Sequence, residues 1–83
     1  MAEVVIYTRK MCGFCTAAKN LFAKKDVKIT EHDATFDPIV REEMVKLSGR
    51  NTFPQVFIDG KHIGGCDDLF DIESLGELDA LLA

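Results

Sequence analysis

The hydrophobic positions change period several times along the chain, and each change marks an element. Val4-Val5-Ile6-Tyr7 is apolar without alternation. That is the pattern of a strand buried on both faces, hence central in its sheet. From Cys12 the spacing becomes helical: Cys15, Ala18 and Phe22 fall on one row with Leu21 beside them, while Lys19, Lys24 and Lys25 lie off it. This predicts an amphipathic helix that begins at or just after Cys12 and ends near Lys25, with last-turn lysines suited to the helix dipole. Val27-Lys28-Ile29-Thr30-Glu31 alternates strictly and predicts a strand with one wet face. Asp37-Pro38 reads as an N-cap followed by proline at the first helical position. Val40, Met44 and Leu47 give this second helix its apolar row, and Gly49 closes it.

Pro54 to Ile58 and Lys61 to Gly64 flank Asp59-Gly60, a pair favoured in two-residue hairpin turns because both central residues need positive φ. Gly64-Gly65 breaks the run, and Asp67 onward is helical again. Ser74-Leu75-Gly76-Glu77 has capping-box spacing and predicts a last turn carrying Leu78, Leu81 and Leu82. The order is β-α-β-α-β-β-α, with a parallel, right-handed first βαβ unit and an antiparallel hairpin added at one side. The expected fold is α/β: a mixed four-stranded sheet with helices on both faces.

At 83 residues the chain is expected to form one domain, residues 1–83. Its apolar fraction of 47 % suits a globular protein. A net charge of −4 argues against a nucleic-acid binder held by phosphate contacts. The apolar run at Val4–Tyr7 is far too short for a membrane span or a signal-peptide core, so the cytoplasm is the expected compartment.

The three cysteines, Cys12, Cys15 and Cys66, are an odd number and exclude a fully paired disulfide framework. A zinc site usually needs two closely spaced ligand pairs, and only Cys12/Cys15 forms one, so no metal site is expected. Redox chemistry is the better reading of C-x-x-C. A thiol reacts as its thiolate, and Cys12 sits where a helix starts, with free backbone N–H groups ahead of it and Arg9 and Lys10 beside it. Cys15 lies one turn deeper on the apolar row. The asymmetry makes Cys12 the attacking sulfur and Cys15 the resolving one.

Two further segments carry chemistry. In Thr52-Phe53-Pro54-Gln55 the proline cannot donate to a sheet ladder. A cis Phe53-Pro54 bond would offer the Phe53 N–H and C=O to an extended peptide; an ordinary strand-start proline is the alternative. In Gly64-Gly65-Cys66-Asp67-Asp68 the glycines allow close approach to a helix N-terminus that can hold an anionic group, with Asp67 placed for an ammonium. A plain strand-to-helix turn with acidic capping fits this segment equally well. His32 and His62 read as solvated strand residues.

Cys12-Gly13-Phe14-Cys15, Thr52-Phe53-Pro54-Gln55 and Gly64-Gly65-Cys66-Asp67-Asp68, in this order after Tyr7-Thr8, resemble the glutaredoxin family over essentially the whole chain. The likeness is to the dithiol branch and most of all to the short bacterial glutaredoxin 3 type. It implies the thioredoxin-like fold and a glutathione-dependent oxidoreductase acting on protein disulfides and protein–glutathione mixed disulfides. It further implies Cys12 as nucleophile, Cys15 as resolving thiol and Pro54 as a cis proline. The Phe53 backbone would meet the cysteine of glutathione, and Cys66 and Asp67 its γ-glutamyl end. Arg9 would lie near the thiolate and the glycyl carboxylate, with Arg41 or Gln55 as further helpers there. Thr52 belongs to the same binding strip, and Phe14, lacking a tyrosine hydroxyl, can only pack and shield. Gly13 and Phe14 depart from the common Cys-Pro-Tyr-Cys toward the monothiol branch, whose motif is Cys-Gly-Phe-Ser and which handles [2Fe–2S] clusters. The alternative reading is therefore a dimer bridging such a cluster through two Cys12 thiolates and two glutathione thiolates. A thioredoxin-like reductase is disfavoured because the chain has no tryptophan. Without iron, a monomer is expected, since no apolar row looks spare.

Overall fold

A computed structural model describes residues 2–83. The elements are β1 (Val4–Thr8), α1 (Gly13–Lys24), β2 (Ile29–Asp33), α2 (Pro38–Ser48), β3 (Gln55–Ile58), β4 (Lys61–Gly64), α3 (Cys66–Ser74) and α4 (Leu78–Leu82). The sheet order is β2-β1-β3-β4. β1 runs parallel to β2, with Val4 opposite Ile29, and antiparallel to β3, which pairs antiparallel with β4. This is the expected mixed sheet, with β1 inside it.

Alternate residues of the inner strands feed two separate cores, because successive side chains leave a strand on opposite faces. Val4, Ile6, Val56 and Ile58 pack with Ala18, Leu21 and Phe22 of α1, Leu69 of α3 and Leu78 of α4. Tyr7 and Phe57 face the other way and pack with Met44 of α2, with Val5 and Val40 at the edge. Phe22 is wholly buried at the centre of the larger core, a burial worth on the order of 2 kcal/mol. The Asp59-Gly60 turn has positive φ at both residues, 51° and 79°. Asp37 caps α2 as expected, its carboxylate accepting from the Ile39 and Val40 N–H groups at 3.1 Å.

Several expectations are corrected. β2 starts two residues later than Val27, because pairing with β1 begins only at Ile29. The Val27 N–H instead bonds the Phe22 carbonyl and closes α1. Ser74 does not open a capping box: it ends α3, and its hydroxyl donates to the Asp71 carbonyl, while Glu77 precedes α4 without a side-chain cap. Leu47 is 56 % exposed rather than part of the core. Phe36, Ile39, Phe70 and Leu75 are also exposed, so spare apolar surface exists, contributed by several elements. His32 and His62 are half-buried, their rings packed at 5.1 Å on Tyr7 and Phe57 respectively.

Candidate active site

Cys12 is the N-cap of α1, with extended backbone at φ −117° and ψ 103°. A sulfur here takes the place of the usual Ser, Thr, Asp or Asn oxygen. It accepts the Cys15 N–H at 3.2 Å. The Cys12 sulfur also lies 4.0 Å from the Phe53 carbonyl, which its S–H can reach. Cys12 is half-exposed; Cys15 is 2 % exposed. Burial above all pushes the Cys15 thiol up to about 12, helped by its bond to Cys12 and opposed by the Arg9 backbone and Lys19. Cys15 is therefore held as a thiol while Cys12 faces outward. All three cysteines are free.

Beside the sulfurs lies a groove of about 220 Å³ lined by Phe14, Thr52, Phe53, Pro54, Cys66 and Asp67. The Phe53-Pro54 bond is cis. Cys66 is buried at the first turn of α3, and burial, with lesser effects of Asp67 and Cys12, raises its thiol. Cys66 thus lies beside the groove as a protonated thiol, and Asp67 is exposed at the same helix start. Six of the nine predicted site residues line this one groove, and Cys12 stands at its edge through Phe53. Arg50 and Asp68 also line it and were missed by the sequence reading. The Arg50 guanidinium donates to the Asp68 carboxylate at 2.9 Å, and that carboxylate accepts the Gly65 N–H at 3.0 Å. Arg50 first, then Gly65, holds the Asp68 carboxyl below the usual carboxylate range. A side chain on Gly64, whose φ is 123°, would run into Asp68. The N3 position of Asp68 behind Gly65 was a legible capping signal; nothing marked Arg50.

Arg9 lies in an adjoining pocket with Arg41, Asn51, Thr52 and Phe53. The Arg9 and Arg41 guanidinium carbons sit 6.0 and 5.5 Å from the Phe53 ring centre, cation–π range. Thr52 and Phe53 are thus shared between the two cavities. Lys10 does not join them; its ammonium lies 5.4 Å over the Phe36 ring. Gln55 is not a groove residue either. It is wholly buried and bonds Thr52 and His62. A Cβ at Gly13 would touch nothing within 4 Å, so the exposed side of the Cys12–Cys15 turn is open.

Two cysteines one helical turn apart, opening the first helix of a β2-β1-β3-β4 sheet, define a dithiol oxidoreductase of the thioredoxin-like class. The Glutaredoxin family model matches residues 4–63. The chain is 50 % identical over 82 residues to Glutaredoxin 3 of Escherichia coli, covering 99 % of both. Its fold superposes on the solution structure of glutaredoxin from Brucella melitensis with TM-score 0.86 at 52 % identity, covering 99 % of this chain and 89 % of that one. A buckwheat glutaredoxin–glutathione complex superposes with TM-score 0.89 at 28 % identity, covering 98 % and 76 %. The chain belongs to the glutaredoxin family, whose members catalyse glutathione-dependent thiol–disulfide exchange with glutathione as reductant. No helix among the described residues is long and apolar enough to cross a membrane.

Proposed function

We propose that residues 1–83 act as one domain in which Cys12 carries the exchange and Cys15 completes it. The Cys12 thiolate attacks the glutathionyl sulfur of a protein–glutathione mixed disulfide, forming a Cys12–glutathione disulfide and releasing the protein thiolate. A glutathione thiolate then attacks that disulfide; oxidised glutathione leaves and the Cys12 thiolate is regenerated. With a protein disulfide, the Cys12 thiolate attacks one protein sulfur, the substrate S–S bond breaks, the other protein sulfur leaves as a thiolate, and a mixed disulfide between Cys12 and the attacked sulfur remains. Cys15 loses its proton, displaces that sulfur and closes a Cys12–Cys15 disulfide, which two glutathione molecules reduce. The observation that carries this reading is the contrast between a half-exposed Cys12 whose sulfur accepts the Cys15 N–H and a Cys15 thiol that is buried.

Glutathione is placed along the groove. Its γ-glutamyl carboxylate meets the N–H groups at Cys66 and Asp67, its ammonium meets Asp67, its cysteine lies against the Phe53 backbone, and its glycyl carboxylate faces Arg9, with Arg41 beside it. Phe14, Thr52 and Pro54 form the walls. The protein works as a monomer on disulfide-bonded and glutathionylated proteins in the cytoplasm, where thiols are kept reduced. The test is turnover of a glutathionylated protein by wild type and Cys12→Ser, with mass spectrometry of the trapped intermediate. One glutathione on Cys12, and no turnover in the variant, is expected; turnover by Cys12→Ser overturns the assignment.

A second reading is favoured by the open space at Gly13, which leaves Cys12 accessible to a [2Fe–2S] cluster. Four thiolates fit such a cluster, and the chain offers one cysteine that is not buried, the half-exposed Cys12. Two chains and two glutathione thiols would complete the set, and Cys12 would then be withdrawn from disulfide exchange.

A further inference from the structure

The groove rests on a buried amide whose orientation is forced. Gln55 is wholly buried in β3, and its side-chain nitrogen lies 3.1 Å from the Thr52 carbonyl and 3.0 Å from the Thr52 hydroxyl. A backbone carbonyl can only accept, so Gln55 must turn its NH₂ toward Thr52. Its oxygen then faces His62 of β4, whose Nε2 is 2.7 Å away. An amide oxygen also only accepts, so the His62 Nε2 carries the proton in either charge state of the ring. The reversed amide would set two acceptor oxygens against each other at the Thr52 carbonyl. Donation therefore runs in one direction, from His62 to Gln55 to Thr52.

Thr52 is the last acceptor of this hydrogen-bond relay, and it lines both the groove and the Arg9/Arg41 pocket. Its hydroxyl oxygen receives the Gln55 N–H, so the hydroxyl proton is left to be given to an acceptor. Phe53, which follows it, holds the carbonyl beside Cys12. We infer that His62 and Gln55 are positioning residues that fix the Thr52–Phe53 strip for glutathione and turn the Thr52 hydroxyl into a donor for the tripeptide's carboxylate. This rests on the proposed glutathione pose. Neither residue lines the groove, and the His62 ring, packed on Phe57, belongs to a different element from the thiols.

The substitution His62→Phe keeps a ring on Phe57 and deletes only the Nε2 donor. The Gln55 oxygen is then buried without a partner, and a lost bond of this kind corresponds to about a ten-fold effect on affinity. The expected result is a KM for glutathione raised about ten-fold, with kcat within two-fold of wild type. Reduction driven by dithiothreitol, which needs no tripeptide site, should be unchanged. His62→Gln, which supplies an amide donor, should recover part of the affinity, and His62→Phe should add nothing further to Gln55→Met. An unchanged KM in His62→Phe overturns the relay alone. An equal loss with dithiothreitol also overturns it, by showing a general effect on the fold. Wild-type turnover without saturable dependence on glutathione overturns the pose beneath it.

Discussion

Replacing Cys15 by serine separates the two half-reactions. In the reduced protein the Cys15 thiol is pushed up to about 12. At pH 7 only about one Cys15 in 10⁵ is then ionised, so it does not compete with Cys12 for substrate. Serine keeps the backbone N–H that the Cys12 sulfur caps, while removing a second nucleophile. Turnover of a glutathionylated protein by Cys15→Ser should stay within about three-fold of wild type, and that of a protein disulfide should fall by about a hundred-fold or more. The wild-type resolving step has its own signature. When Cys12 is tied up in a mixed disulfide, its bond and charge no longer raise Cys15, but burial still does. The reactive fraction then climbs about ten-fold per pH unit below the Cys15 pKa. Single-turnover release of protein thiol from the preformed mixed disulfide, followed from about pH 6 to 8, should show that slope. Loss of deglutathionylation in a folded Cys15→Ser, or a flat pH profile for the wild-type step, would refute the division of roles.

Asp67→Ala should raise the KM for glutathione about five-fold, with no change in the thermal midpoint, because the residue is exposed at the start of α3. An unaltered KM removes Asp67 from the site. The Asp68 carboxyl, lowered chiefly by Arg50, stabilises the fold above the ordinary carboxyl range, and that contribution fades as pH falls through its lowered value. The gap in urea midpoint between wild type and Asp68→Asn should therefore close between about pH 5 and pH 2; a constant gap contradicts the ion pair. In size-exclusion chromatography the iron-free protein should elute as a monomer, and anaerobic reconstitution with iron, sulfide and glutathione is the one condition expected to give a dimer, coloured and absent in Cys12→Ser. A colourless dimer counts against this.

Elements whose side chains repeat at a clean period were legible in the sequence: α1 from Cys15, Ala18, Leu21 and Phe22, and the hairpin from Asp59-Gly60. The placement of the two thiols was legible too, because both belong to one helix, Cys12 at its cap and Cys15 buried within it. β2 was misplaced because Val27 continues the alternation without a partner strand, and strand ends are set by pairing rather than by pattern. Leu47 fits the spacing of α2 but is left 56 % exposed beside an open cavity that it lines with Val5, Tyr7 and Phe57, because helical spacing alone does not fix how far packing closes over a residue. Arg50 and the His62–Gln55–Thr52 chain were invisible for a third reason. Each joins residues from separate elements, and such contacts exist only after the chain has folded. Lys10 shows the converse: nearness in sequence to Cys12 did not decide where its ammonium went, since the Phe36 ring was within reach.

The empty space around Gly13 bears on how this protein can change. Position 13 is the first residue of α1, between the two sulfurs, yet a Cβ built there meets nothing within 4 Å. Proline is the residue such a position most readily accepts, and it would stiffen the backbone between the thiols without moving a core atom. The thiol chemistry of this fold can thus be retuned through one exposed peptide unit, while the cores that determine whether the chain folds remain untouched. Descent or design can vary the reactivity at Cys12 and the stability of the sheet as independent traits.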